Sequence, residues 1–192
     1  LPENFRNAGL LPKGPAIPLP DVKGRAAILA GSCSIATRQQ VEKAKSQFPT
    51  HFLDPMKLSN QSRNDISATL TWIDRQSSNK PLLIYSSADP NVVTQAQKKH
   101  GRENAGALLE RAMGLIATGL IQRGVRKIVV AGGETAGAVV QALGITGLKI
   151  GPEIDPGVPW TETVNEPRIA LALKSGNFGK SDFFIKSLDM LK

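Results

Sequence analysis

The sequence predicts an α/β fold: a layered α/β/α arrangement around a largely parallel, Rossmann-like sheet. Two observations carry that expectation. Short apolar runs of strand type alternate with longer stretches of helical apolar spacing, the order that builds βαβ units. Three of those runs also end in turns rich in glycine and hydroxyl residues, namely Gly31-Ser32-Cys33-Ser34, Gly132-Gly133-Glu134-Thr135-Ala136-Gly137 and Lys174-Ser175-Gly176-Asn177. Crossovers between parallel strands are expected to be right-handed. The order of the strands is not legible in the pattern.

Taken along the chain, the first twenty residues hold five prolines, Pro2, Pro12, Pro15, Pro18 and Pro20. Proline fixes φ and removes a backbone donor, so residues 1–23 are expected to be an extended linker or a surface-hugging arm. Residues 24–192 are expected to form one folded domain. Ala26-Ala27-Ile28-Leu29-Ala30 reads as a buried strand, and Ser34 or Thr37 can cap a helix over 36–48 with Val41, Ala44, Lys45 and Phe48 on one face. His51-Phe52-Leu53 is a second strand. Ile66, Leu70 and Ile73 give the buried stripe of a helix over 64–75, and Leu82-Leu83-Ile84-Tyr85 is a third strand.

A polar stretch over 86–102 follows and is assigned no element. Leu108, Leu109, Met113, Ile116, Leu120 and Ile121 then mark a long helix over 103–123. Lys127-Ile128-Val129-Val130-Ala131 is the clearest strand, with a helix over 134–143 after it. Strands at 147–150 and 169–173 and a helix over 181–191 complete the pattern. Between them, 151–160 combines three prolines with two glycines and reads as a rigid loop. Its Glu153 and Asp155 suit a metal or a ribose, and Trp160 either lines a base pocket or plugs the core.

Composition narrows the function. At 192 residues the chain is long enough to bury a core without staples, and Lys plus Arg outnumber Asp plus Glu by 24 to 16, giving +8. Such a surface favours anions. Aromatic residues make up only 5%, which leaves little for nucleobases to stack on, and the basic residues are dispersed, so nucleic acid is not the expected partner. No apolar run approaches the roughly 18 residues of a membrane span. Cys33 stands alone, which excludes an intramolecular disulfide and fits a reducing, cytoplasmic setting. The chain begins at Leu1, as an excerpt or a processed chain would.

In an open α/β sheet, ligands sit beyond the carboxyl ends of the strands. Gly132–Gly137 has the features of a phosphate-binding turn: glycines that admit a close approach, free N–H groups at a helix start, and the Thr135 hydroxyl. It departs from G-x-G-x-x-G, and no P-loop motif occurs. A tight turn with no ligand remains the alternative. Ser32 and Ser34 supply hydroxyls beside a second turn, although a helix cap is the favoured reading of a serine there. Cys33 reads as a small buried thiol, since nothing ties His51 or His100 to it as a base. Lys174 can meet a phosphate, or it is a surface lysine before a turn. No Cys/His cluster or EF-hand spacing is present, and Glu134 and Asp155 are the acids to test first for a metal.

Four segments together resemble the C-terminal nucleotide-binding domain of the four-carbon acid sugar kinases, or 3-oxo-tetronate kinases. They are Gly31-Ser32-Cys33-Ser34-x-Ala36-Thr37, Gly132-Gly133-Glu134-Thr135-x-Gly137, Gly151-Pro152-Glu153-Ile154-Asp155-Pro156-Gly157-Val158-Pro159-Trp160 and Ala172-Leu173-Lys174-Ser175-Gly176-Asn177-Phe178-Gly179. The resemblance implies ATP, together with Mg²⁺, as the ligand, and transfer of its γ-phosphoryl group to a four-carbon sugar acid. It implies nucleotide contacts from Ser32, Ser34, Gly132, Gly133, Glu134, Thr135, Ala136, Gly176 and Asn177; the chemistry of Lys174 suits it to neutralise phosphate charge beside them. It also implies a partner, an N-terminal sugar-acid domain carrying the catalytic base, for which this chain has no matching residues. The chain alone is then expected to bind adenine nucleotide without efficient turnover, and homo-oligomerisation stays open. The alternative is a free-standing nucleotide- or phosphosugar-sensing module with no catalytic activity.

Overall fold

A computed structural model describes residues 18–191, apart from 60–62, 78–79 and 87–89, together with Ala8. Pro2, Pro12 and Pro15 lie outside the described residues. Within the described part of the proline-rich segment, 18–23 runs without regular structure, and Pro20 and Val22 are buried.

The described strands are β1 (Arg25–Ala30), β2 (Thr50–Phe52), β3 (Leu82–Tyr85), β4 (Val125–Ala131), β5 (Leu148–Asp155), β6 (Val158–Thr163) and β7 (Ala170–Lys174). The described helices are α1 (Ile35–Lys45), α2 (Arg63–Asp74), α3 (Pro90–His100), α4 (Arg102–Gln122), α5 (Gly133–Ala142) and α6 (Phe183–Asp189). All seven strands join one sheet in the order β2-β3-β1-β4-β7-β6-β5. The five from β2 to β7 run parallel, and β6 and β5 are antiparallel additions.

Burial on both faces explains the continuous apolar strands. Alternate residues of β1 go to opposite sides: Ala27 and Leu29 pack with Ile73 of α2, Met113, Ile116 and Leu120 of α4 and Val139 of α5. Ile28 and Ala30 face Val41 and Ala44 of α1 and Phe183, Phe184 and Leu188 of α6. Period-2 alternation in the strands is thus matched by helices on each face. Ser34 caps α1 by accepting the Thr37 N–H, and Lys45 lies over the Tyr85 ring at 4.7 Å.

Two segments depart from the sequence expectation. The polar stretch contains α3, whose first residue is Pro90, a favoured position for proline because the missing N–H is not needed there. The proline-rich 151–160 segment is a β-hairpin rather than a loop. Pro156 and Gly157 (φ +79°) make its two-residue turn, with Asp155 opposite Val158. Pro152 lies on the edge strand β5, where the pairing register shifts between Ile150 and Glu153. Pro159 lies outside the Trp160–Glu162 pairing with β7. Both prolines therefore escape the usual penalty of a missing ladder donor.

This topology creates one crevice. β1 and β4 are parallel neighbours, yet α1 leads from β1 towards one edge of the sheet while α5 leads from β4 towards the other. Their carboxyl ends therefore diverge, as at the switch point of a doubly wound sheet.

Candidate functional site

The ends of β1, β4 and β7 are stitched together by backbone hydrogen bonds. The N–H groups of Gly31 and Ser32 both donate to the Ala131 carbonyl, at 3.0 and 3.1 Å, and the Gly132 N–H donates to the Lys174 carbonyl at 2.9 Å. The three glycine-rich turns singled out in the sequence thus meet at one place. Close packing explains their glycines. A Cβ on Gly31 would stand 2.2 Å from the Thr135 Oγ1, and one on Gly176 would stand 2.3 Å from the Ser32 Oγ. Gly132 has φ +130°, and a Cβ there would meet the Thr135 Oγ1 at 2.9 Å and the Ser32 nitrogen at 3.1 Å. Gly133 is different: it is exposed, and a Cβ there would have nothing within 4 Å.

Gly133 opens α5, so the first N–H groups of that helix have no acceptor within it and its positive dipole end faces the crevice. A cavity of about 750 Å³ lies against this end. Gly31, Ser32, Cys33 and Gly132 to Thr135 form one wall, and Gln97, Gly106, Leu109 and Glu110 from α3 and α4 form another. Glu110 and Glu134 also border a shallower hollow of about 610 Å³ between α4 and α5. There Gly114 lets the two helices approach closely, since a Cβ on it would stand 2.9 Å from the Ala142 Cβ.

The Ser34 hydroxyl and Lys174 are bonded within the protein. Thr135 is buried at the cavity wall, with its hydroxyl close against Gly31 and Gly132. Ser34 donates its hydroxyl to the Gly176 carbonyl at 2.6 Å, and the Ser34 N–H donates to the Ser32 Oγ at 3.2 Å. Ala136 packs against the core, and its N–H donates to the Gly132 carbonyl at 2.8 Å. Lys174 is no surface lysine. It is 1% exposed, and its Nζ donates to the Thr37 Oγ1 (3.0 Å), the Ser175 carbonyl (3.1 Å) and the Gly176 carbonyl (2.9 Å). Burial lowers its pKa to about 8.

The hairpin residues separate from the crevice. Trp160 is fully buried and donates its ring N–H to the Ser187 carbonyl at 3.0 Å, so it plugs the core. The Asp155 carboxylate is 4% exposed, bonds Lys186 Nζ at 2.6 Å and accepts the Lys180 N–H at 3.0 Å. Burial opposes its charge, but the Lys186 and Lys180 donors outweigh burial and hold its pKa below the usual carboxylate range. Glu153 accepts the Gly157 N–H at 3.2 Å. Asn177 is exposed, beside a small hollow with Asp155, Phe178 and Lys180. Of the three acids considered for a metal, Glu134 lines the cavity, and Glu153 and Asp155 do not. Among the described residues no group of three His, Cys, Asp or Glu side chains could hold a metal ion.

Sequence reasoning missed four contributors. Ser86 follows β3 at the cavity, 2% exposed, and its hydroxyl has no protein partner among the described residues. Its position directly after an apolar strand is the signal that would have found it. Glu110 and Gln97 come from the α3–α4 wall, which the missed helix α3 helps to build. Gln40, 1% exposed on α1, directs its Nε2 at the carbonyls of Phe178, Gly179 and Lys180, each at 3.0 Å, and so holds the loop after β7. His51 has Thr69 beside its Nε2 at 3.1 Å, and burial lowers its pKa.

Comparison with known proteins shows the family and the fold. A 3-oxo-tetronate kinase of Cupriavidus necator is 47% identical over 193 residues, covering 100% of this chain and 44% of the relative. A 3-oxo-tetronate kinase of Pseudomonas fluorescens is likewise 47% identical with the same two coverages. The chain therefore spans less than half the length of these relatives. Among solved structures, a Haemophilus influenzae protein of the family DUF1537 superposes with a TM-score of 0.83 at 38% identity, covering 97% of this chain and 45% of that one. Residues 27–184, which contain all three converging turns, match the model of a nucleotide-binding C-terminal domain, and the chain belongs to that family.

Proposed function

We propose that the chain is the ATP-holding part of a kinase that phosphorylates four-carbon sugar acids of the 3-oxo-tetronate type. The observation that carries this reading is the open ground at Gly133. Gly31, Gly132 and Gly176 pack so tightly that the protein itself fills the space a Cβ would take, while the helix start at Gly133 is open and faces a cavity of about 750 Å³. Backbone N–H groups at a helix N-terminus suit polyphosphate, whose charge the dipole favours. The excess of 24 basic over 16 acidic residues suits the same anion.

In this reading Gly132, Gly133, Glu134 and Thr135 contact the phosphates through the backbone. Ser32 stands at the facing turn, and Gly176 with Asn177 closes the third side. Mg²⁺ accompanies the nucleotide and takes most of its ligands from phosphate oxygens and water, as is usual for that ion. Glu134, which lines the cavity, is the first protein acid to test. The catalytic base and the sugar-acid contacts come from the additional length that the relatives carry, and the alternating α/β unit described here supplies the phosphoryl donor. Phosphoryl transfer needs both partners positioned and charge stabilised on the moving group, which one half cannot do.

Calorimetric titration with ATP, with and without Mg²⁺, is the direct test, using NAD as the control. Saturable binding of ATP and ADP, with no binding of NAD, is expected. Gly133→Val places a branched side chain on ground where a Cβ meets nothing within 4 Å, so it should weaken ATP by at least about tenfold while the fold is kept. Unchanged ATP affinity in that variant would sink the assignment.

A further inference from the structure

We propose that Lys174 is a positioning residue for the nucleotide: from inside the protein its ammonium fixes the Gly176–Asn177 peptide, so that the Asn177 N–H is presented to the polyphosphate. This rests on the ATP reading above and replaces direct neutralisation of phosphate charge as the role of Lys174.

Strand alternation puts Lys174 on the same face of β7 as Ala170 and Ala172, under the start of α1. An ammonium has three N–H donors, and all three are used within the protein, on Thr37, Ser175 and Gly176. At 1% exposure it has neither a free donor nor a path to a phosphate. What it does hold is one carbonyl. The Gly176 oxygen receives Lys174 Nζ at 2.9 Å, Ser34 Oγ at 2.6 Å and Thr37 Oγ1 at 2.9 Å. A carbonyl offers two lone pairs, so three donors around it leave that peptide little freedom to rotate.

In a trans peptide the C=O and the following N–H point in opposite directions. Drawing the Gly176 carbonyl inward therefore turns the Asn177 N–H outward, and that N–H has no hydrogen-bond acceptor among the described residues. The same turn abuts the first one, because the Gly176 Cα faces the Ser32 and Ser34 hydroxyls. Burying an ammonium costs free energy that a surface lysine avoids. A neutral side chain of equal length would pack there with less penalty, but it would leave the carbonyl short of a charged donor.

The test compares the wild-type chain with Lys174→Met, which keeps length and apolar bulk and removes the donors. Two readouts are taken: ATP affinity by calorimetry, and hydrogen exchange of the amides of residues 176–179 without ligand. The expected result is an ATP affinity about tenfold weaker together with exchange about tenfold faster in that loop. Thr37→Val, which removes a shared partner while keeping shape, should shift both readouts in the same direction and stands in if Lys174→Met does not fold. Weakened ATP binding with unchanged loop exchange would make Lys174 a direct ligand and overturn the proposal, as would wild-type affinity in both variants. If the wild-type chain binds no ATP, the nucleotide reading fails by itself. Loop exchange then still decides whether Lys174 orders the turn.

Discussion

At the scale of single residues, the turn glycines divide into two kinds that a motif cannot tell apart. Gly31 is needed by the protein, because its missing Cβ is where the Thr135 hydroxyl sits. Gly133 is not needed by the protein, because the space beside it is empty. Gly31→Ala is therefore expected to cost about 1–3 kcal/mol through overpacking. Gly133→Ala is expected to leave stability within about 0.5 kcal/mol of wild type, or to raise it slightly, since alanine is the better helix former. Urea unfolding of the two variants checks this. A large loss of stability in Gly133→Ala would show that Gly133 serves the fold, and the reading of the crevice as a ligand site would lose its main support.

At the scale of elements, the β5–β6 hairpin is where Asp155 works. Its carboxylate joins the hairpin to the Lys180 backbone and to Lys186 on α6, on the loop side that Gln40 also holds. Lys186 keeps 45% of its side chain exposed, so it can turn to water when its partner is lost. Asp155→Asn should then cost about 1–3 kcal/mol at neutral pH, less than a fully buried pair would. The folded pKa lies below the unfolded value, so this stabilisation is complete above the unfolded carboxylate pKa of about 3.9 and disappears as pH falls through the folded one. The stability gap between wild type and Asp155→Asn should therefore be constant from neutral pH down to about pH 5 and close below that. A gap that widens on acidification would show that the carboxylate is not the stabilising form.

The same hairpin shows why some elements were legible and others were not. β1, β3 and β4 are short, continuous apolar runs because helices cover both faces, and that burial is written in the local composition. β6 was hidden because Pro156 and Pro159 suggest a loop. Pro159 is tolerated in β6 only because it lies outside the pairing with β7, which is a long-range fact. α3 was hidden because few of its residues reach the core; Ala96 is buried, and its remaining described side chains are half-buried or exposed. The site divides in the same way. The three turns were legible because glycine and hydroxyl residues mark them locally. The inward placement of Lys174 was not, since it depends on Thr37 across 137 positions of sequence.

At the scale of the whole molecule, the crevice proposed to seat the nucleotide is lined by residues of this chain alone. Its walls come from strand ends, α3, α4 and α5, all within the matched residues 27–184. The relatives devote more than half of their length to something else, since this chain covers 44% of them. Holding an acceptor beside the γ-phosphate is worth roughly 7–11 kcal/mol of barrier, and that contribution requires a second, pre-aligned surface. The chain mixed with Mg-ATP and a four-carbon sugar acid should therefore give no acceptor phosphorylation above background hydrolysis, even at ATP concentrations that saturate it. Supplying the additional segment of a relative, fused or mixed in, should restore transfer and leave ATP affinity nearly unchanged. Following the labelled γ-phosphate in the same reactions separates hydrolysis from transfer. Brisk transfer by the chain alone would mean that the acceptor is held by residues already described here, with Glu110 and the α3–α4 wall the first place to look.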